Sequence, residues 1–405
     1  MRQYFLTVCL FFSIASVSLA ANDHREGLAY LNMLRANAGL ITLKSSATLQ
    51  KAAAAHANYL LKNQSSGHYE TQGKGFYTGK TPSERVMNAG HPSAFVMENI
   101  SVNTPEETQA VDNLFSAIYH RFVFLNLDKD EIGIGFASTN KKRSIKSAYV
   151  YNLGSSHVSR LCQRSFSMTH GVYYMKDLCR DRSKMVPVHL FREQKEYVQR
   201  KNRDIILYPY AGQTTIWPAF YNESPDPLPG YKVSGFPVSV QFNPAYYQSV
   251  RLHSFRLYDK TGKEIKAVKV LHHHNDHNRI LSEFEFALMP LQRLEFGSEY
   301  TAVFEALADG RKIRERWSFS TVKPKEPLYR MTEETAHLRV PSGSTILLYV
   351  VPASREDILY SYKARGDIKA LFLDQNTLRV TFPKRRSPGK ASLEFGRKKV
   401  TFDVR

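Results

Sequence analysis

A change of period near residue 205 constrains this 405-residue chain more than any other feature. Before it, apolar residues recur at helical spacing between short strands. In 24–39, Leu28, Leu31, Leu34 and Ala38 share one helical face, and Gly39 stands where the helix should stop. In 45–63 an alanine run carries the i, i+4 stripe Leu49, Ala53, His56, Leu60, which reads as a packing face with His56 as a packing histidine. From Ile205 onward the pattern alternates every second residue, as in VSVQF, SFRLYD and ERWSFS, with hairpin turns at Asp259–Gly262 and Asp309–Gly310. Such a chain should be α+β at its start and all-β afterwards, in two or three domains.

Between 64 and 155 the order is a Gly- and Ser-rich loop, a short helix SERVMNAG with Ser83 as its expected cap, and a strand AFVMENISV. One continuous helix, PEETQAVDNLFSAIYHR, is expected next, with acidic residues in its first turn. The strands EIGIGFAST and SAYVYNLG close the unit. This order predicts a three-layer α/β/α sandwich over 21–155. Residues 156–204 read as a connector, 205–325 as a β-sandwich and 326–405 as a further small β-domain.

The first 20 residues read as an export signal: Arg2, an apolar run from Tyr4 to Val17, then the small residues Ser18 and Ala20. The run is short for a spanning helix, which needs roughly 20 residues. No later segment is apolar enough to span, so a secreted or periplasmic location is expected. Two cysteines then remain, Cys162 and Cys179. In an oxidising compartment they are expected to form one disulfide, two buried thiols being the alternative. Lys and Arg number 56 against 37 Asp and Glu, a formal charge of +19. That excess favours anionic partners such as an envelope polymer, but the cations are scattered, nucleic-acid motifs are absent, and no nucleic acid is expected.

Three polar residues stand out by position. His68 follows a helix in a glycine-containing loop, Glu98 lies in an otherwise apolar strand, and His120 falls at a helix end. A carboxylate beside two imidazoles suits a divalent metal such as zinc, with His68 and His120 as ligands, or acid–base chemistry. The cluster HHHNDH at 272–277 lies between two strands and reads as a loop, not as a metal site.

The succession LNMLRANAGL, TLQKAAAAHANYLLKN, SGH, MENI, FSAIYHR and EIGIGF resembles the CAP superfamily (cysteine-rich secretory proteins, antigen 5, pathogenesis-related 1 proteins), especially its bacterial SCP-like branch. FYTGKTPSERVMNAG resembles the segment that bacterial members place between the first His and the Glu. The resemblance covers about 24–155 and implies a cleft with His68, Glu98 and His120 as the first His, first Glu and second His. A full family cleft has a second Glu before the second His. AVDNLFSAIYH offers none, leaving Asp112 or Ser116 to fill the space and Tyr119 and Arg121 as cleft-lining candidates. LYPYAGQTTIWPAFYNESPDPLPG, SGFPVSVQF and ADGRKIRERWSFST resemble the Ig-like module that follows bacterial CAP domains, with Trp317 as a core anchor. The resemblance implies an exported binding or interaction module whose partners are peptidoglycan, lipid or protein. A hydrolase acting on a peptide or cell-wall polymer, with Glu98 as general base, is the alternative.

Overall fold

Two glycines decide how the first unit packs. In the computed structural model, which describes residues 25–384 and 386–405, the strand β3 (Glu131–Ser138) alternates Ile132 and Ile134 with Gly133 and Gly135. Successive strand residues face opposite sides of a sheet. The glycine side admits helix α2 (Ala47–Asn63) so closely that a Cβ on Gly133 would lie 2.0 Å from Gln50 N, and one on Gly135 2.1 Å from Ala54 N. Small residues Ala53, Ala57, Ala137 and Ala148 complete that layer. The isoleucine side faces α1 (Arg25–Ala38) and α4 (Glu107–Ser116) through Leu31, Leu34, Val111 and Phe115.

The sheet has the order β1-β3-β4-β2, with β1 Lys44–Ser45, β2 Met97–Val102 and β4 Ser147–Gly154. β1 pairs with β3 in parallel and the other pairings are antiparallel. Helices on both faces make the expected three-layer α/β/α sandwich, and the chain as a whole is α+β. The short helix α3 (Pro82–Asn88) is capped by Thr81, whose side chain accepts from Glu84 N, and not by Ser83, which donates to Ala94 O.

The expected single helix through His120 is two helices. Ala117, extended at φ −83°, separates α4 from α5 (Ile118–Phe124). The connector carries α6 (Ser156–Leu161), α7 (Val188–Gln199) and the Cys162–Cys179 disulfide. It packs onto the first unit: Ala94 N donates to Leu178 O and Arg180 N to Pro92 O.

Beyond it, a four-stranded sheet (267–272, 285–290, 238–242, 205–208 in spatial order) faces a three-stranded sheet (250–259, 299–308, 311–320). Phe242, Phe255, Phe286, Phe304 and Trp317 fill the space between them, and Trp317 donates its indole N–H to Pro209 O at 2.9 Å. The last unit has two four-stranded sheets around its own core of Leu348, Val380, Leu393 and Phe402. Arg293 ties the two β units together, 2.8 Å from Asp374 and over the Tyr349 ring. One apolar core runs from the first unit into the first β-sandwich, where Phe115 stacks on Tyr208 with ring centroids 4.7 Å apart. The export signal expected at 1–20 lies outside the described residues. No helix among the described residues is long and apolar enough to cross a membrane.

The glycine contact is testable. Gly135→Ala is expected to cost about 1–3 kcal/mol of stability, the usual range for overpacking, in urea unfolding. Gly75→Ala, whose added Cβ meets nothing closer than 3.8 Å, should be near neutral.

Candidate functional site

β2 pairs with β4 so that Glu98 stands opposite Asn152. The Glu98 side chain is almost wholly buried and its carboxylate is saturated with donors. Arg85 Nη2 spans its two oxygens at 2.8 and 2.7 Å. His68 Nδ1 lies 3.0 Å from Oε1. With its amide oriented to suit its neighbours, Asn152 donates to Oε2 at 3.0 Å. Arg85, fully buried on α3, also donates to the His68 carbonyl at 2.8 Å and so ties the loop to the strand. Burial by itself would raise the Glu98 carboxyl. The hydrogen bond to His68 and the charge of Arg85 outweigh it and hold the group below its ordinary range.

A further layer of charge lies behind this pair. His56, fully buried on α2, meets Glu70 at 2.8 Å and the Gly67 carbonyl at 3.1 Å, and stands 3.9 Å from Glu98. Glu70 also accepts from Thr78 N at 2.6 Å, closing the loop between α2 and α3 on itself. His56 is therefore more than a packing histidine, and Arg85 and Glu70 are site residues that the sequence reading did not single out. The available signal was an arginine on the buried face of α3, where an unpaired charge is too costly to persist.

His68 and Glu98 are thus brought together, but His120 turns elsewhere. Its ring Nδ1 lies 2.8 Å from Glu223 Oε2, a carboxylate supplied by the first β-sandwich unit. The same carboxylate accepts from the backbone N–H groups of Ile118, at 2.6 Å, and Tyr119, at 3.2 Å. No described hydrogen bond or ion pair joins the His120 ring to His68 or Glu98. Asn99, next to Glu98 in β2 and so facing the other way, donates to the His120 carbonyl at 2.9 Å.

Asp112 and Ser116 do not fill the place of the missing Glu. Asp112 accepts from the Tyr30 hydroxyl at 2.6 Å, its carboxyl pushed up to about 6 by burial. The Ser116 hydroxyl donates to Asn113 O at 2.6 Å. Tyr119 and Arg121 do not line a cleft either. Tyr119 donates its hydroxyl to Asp276 at 2.5 Å, and Arg121 is buried, donating to Ser239 Oγ at 3.0 Å against the Tyr208 and Phe236 rings. Asp276 also accepts from the N–H groups of Asn278, Ile280 and Leu281, so the acid of the HHHNDH loop serves the loop's own fold.

His68 and His120 share no donor set in this arrangement. Among the described residues no three His, Cys, Asp or Glu side chains are arranged to hold a metal ion. Every oxygen of Glu98 is already engaged by a donor, one of them the cationic Arg85, and His120 faces a different carboxylate. The donor set does not fit a divalent ion.

The model of the CAP family, the Cysteine-rich secretory protein family, matches residues 28–153. Residues 28–153 are a CAP domain. Among solved structures, the chain is similar to an outer surface protein from Borrelia burgdorferi, at 22% identity over 33% of this chain and 95% of that one, TM-score 0.28. It is also similar to an extracellular protein containing a SCP domain from Bacillus anthracis, at 17% identity, TM-score 0.28, over 33% of this chain and 40% of that one. A third similarity is to CopC from Methylosinus trichosporium, at 22% identity over 30% of this chain and 94% of that one, TM-score 0.20. No curated protein matches the chain.

Two substitutions test the geometry of the CAP domain. Arg85→Met strands a buried carboxylate and is expected to cost about 3–5 kcal/mol near neutral pH. Glu98 has a folded value below its ordinary 4.5, so its contribution is complete above 4.5 and is lost as pH falls through the folded value. The Arg85→Met penalty should therefore shrink in acid, measured as urea midpoints across pH 3–7. Glu223→Ala orphans the α5 amides and should cost about 2–3 kcal/mol. It should also shift the His120 ring resonance in NMR, which Asp112→Asn leaves in place.

Proposed function

We propose that the protein is exported and that its CAP domain is a binding module for an envelope polymer such as peptidoglycan, not a hydrolase. The observation that carries this is the buried pairing of Glu98 with Arg85. A general base must take up a proton near working pH and reach its substrate. A carboxylate held below its ordinary range, with both oxygens filled by donors, does neither. His120, the other expected participant, is engaged by Glu223.

Binding has a surface to act through. The loop that carries His68 also carries Tyr69 and Phe76, 66% and 60% exposed. The His68 ring, 39% exposed, lies on the same loop. Aromatic faces beside a polar group suit the apolar face of a sugar ring with its hydroxyl rim. The disulfide suits an oxidising compartment and supports the extracellular or periplasmic reading. The β-sandwich that follows, which we take to be the Ig-like module of the resemblance, would present the CAP domain and fix its α5 edge.

The test is co-sedimentation with purified peptidoglycan alongside a measurement of soluble fragments released. The expected result is retention without release, and a loss of about tenfold or more in Tyr69→Ala/Phe76→Ala, about 1.4 kcal/mol. Fragment release that disappears in Glu98→Gln would establish the hydrolase instead.

A further inference from the structure

The outer face of the three-stranded sheet has a second feature, remote in sequence from the CAP domain. Alternation along the central strand 299–308 puts Val303, Glu305 and Leu307 on the outer face, opposite Ala302, Phe304, Ala306 and Ala308; Val303 is itself buried there, Glu305 and Leu307 half-buried. Cross-strand register puts cations on both sides of that floor. Arg251 and Lys312 flank Leu307, Arg256 and Arg316 flank Val303, and Arg314 stands beside Glu305. All five basic side chains are exposed.

The result is a trough with basic walls. A groove of about 670 Å³ occupies its end, lined by Arg251, His253, Lys312 and Arg314. The register shift between Leu252 and Ser254 makes His253 the extra residue of a bulge, and its side chain joins the wall. Glu305 is the one acid among the described residues that line the groove. It is occupied locally, accepting from Ser254 at 2.8 Å and lying 3.5 Å from Arg314.

The dimensions suit one extended chain. The walls stand on strands two spacings apart, about 10 Å, and Lys312 to Arg316 covers about 13 Å along the strand. A membrane is flat and would need protruding apolar anchors, whereas the apolar floor here lies between cations. A single-stranded nucleic acid needs a run of rings on which bases stack; the floor of Val303, Glu305 and Leu307 has none, and the rings beside it are the His253 imidazole in the wall and Tyr258 next to Arg256. Four of the five wall cations are arginines, whose fork matches a carboxylate in two hydrogen bonds.

We propose that this trough is a binding site for a linear carboxylated polysaccharide, distinct from the CAP domain's own surface. The test uses the full chain and alginate, a linear polyuronate, with neutral dextran, phosphatidylglycerol vesicles and a 20-nucleotide DNA as comparisons. Alginate should bind in low salt, weaken steeply as salt rises, and bind at least tenfold more weakly to Arg251→Ser/Arg314→Ser/Arg316→Ser. An equal loss of charge elsewhere, Lys141→Ser/Lys142→Ser/Arg143→Ser in the turn after β3, should change it less than twofold. Glu305→Gln should tighten binding severalfold, which no folding defect would imitate. Absence of alginate binding, equal loss in the two triple variants, no tightening in Glu305→Gln, or tighter vesicle or DNA binding through the same arginines would each overturn the proposal. Retained Tyr69/Phe76-dependent binding of peptidoglycan alongside any of these results would leave the CAP reading intact.

Discussion

The arrangement of this protein depends on where one carboxylate goes. Glu223 reaches across from the first β-sandwich to the start of α5, where helix geometry leaves backbone N–H groups without partners. By accepting from them it does the work of a helix cap from more than 100 residues away. The break at Ala117, the start of a new helix and the orientation of the His120 ring are all consistent with that contact. The rest of α5 then has no freedom to face solvent. Ile118 and Phe122 join an apolar cluster with Phe220, Leu271 and Met289, and Arg121 is held between modules, its guanidinium lowered to about 9 by burial and still charged near neutral pH.

The second electrostatic knot, around Glu98, is closed in a different way. Glu98 and Glu70 are buried within one network with Arg85, His56 and His68. Buried charge of this kind persists only when paired, because desolvation costs several kcal/mol per ion. The network fastens the loop of residues 64–80 to α2, α3 and β2, and sets out its aromatic side chains on a firm base. Rigidity of this kind is more useful to a surface that must hold a ligand than to a base that must change its protonation.

Much of the architecture is legible in the residues. EIGIGF announces its own packing: isoleucines for one helical layer, glycines for the close approach of the other. The CAP order of motifs, the change to period two and the cysteine pair all correspond to features of the fold. What local pattern could not reveal is how distant segments meet. PEETQAVDNLFSAIYHR has uninterrupted helical character, and its break is bound up with a partner from another module. Glu223 lies in a proline-rich stretch with no periodicity to mark it. Arg85 and Glu70 are ordinary members of a polar-looking segment until burial pairs them. His68 and Glu98 could be placed by motif because they sit on neighbouring elements of one domain. The surroundings of His120 belong to a contact that no window of sequence contains.

The apolar core that runs from Phe115 to Tyr208 makes residue 155 a boundary of topology and not of cohesion. A fragment ending there would bare Ile118, Phe122 and one face of Phe115 to water, beside an Arg121 that has lost its aromatic neighbours. The two units therefore share one core. A substitution on the sandwich's inner surface meets the CAP helices, and another CAP domain set in this place would need a matching apolar face to cover that surface.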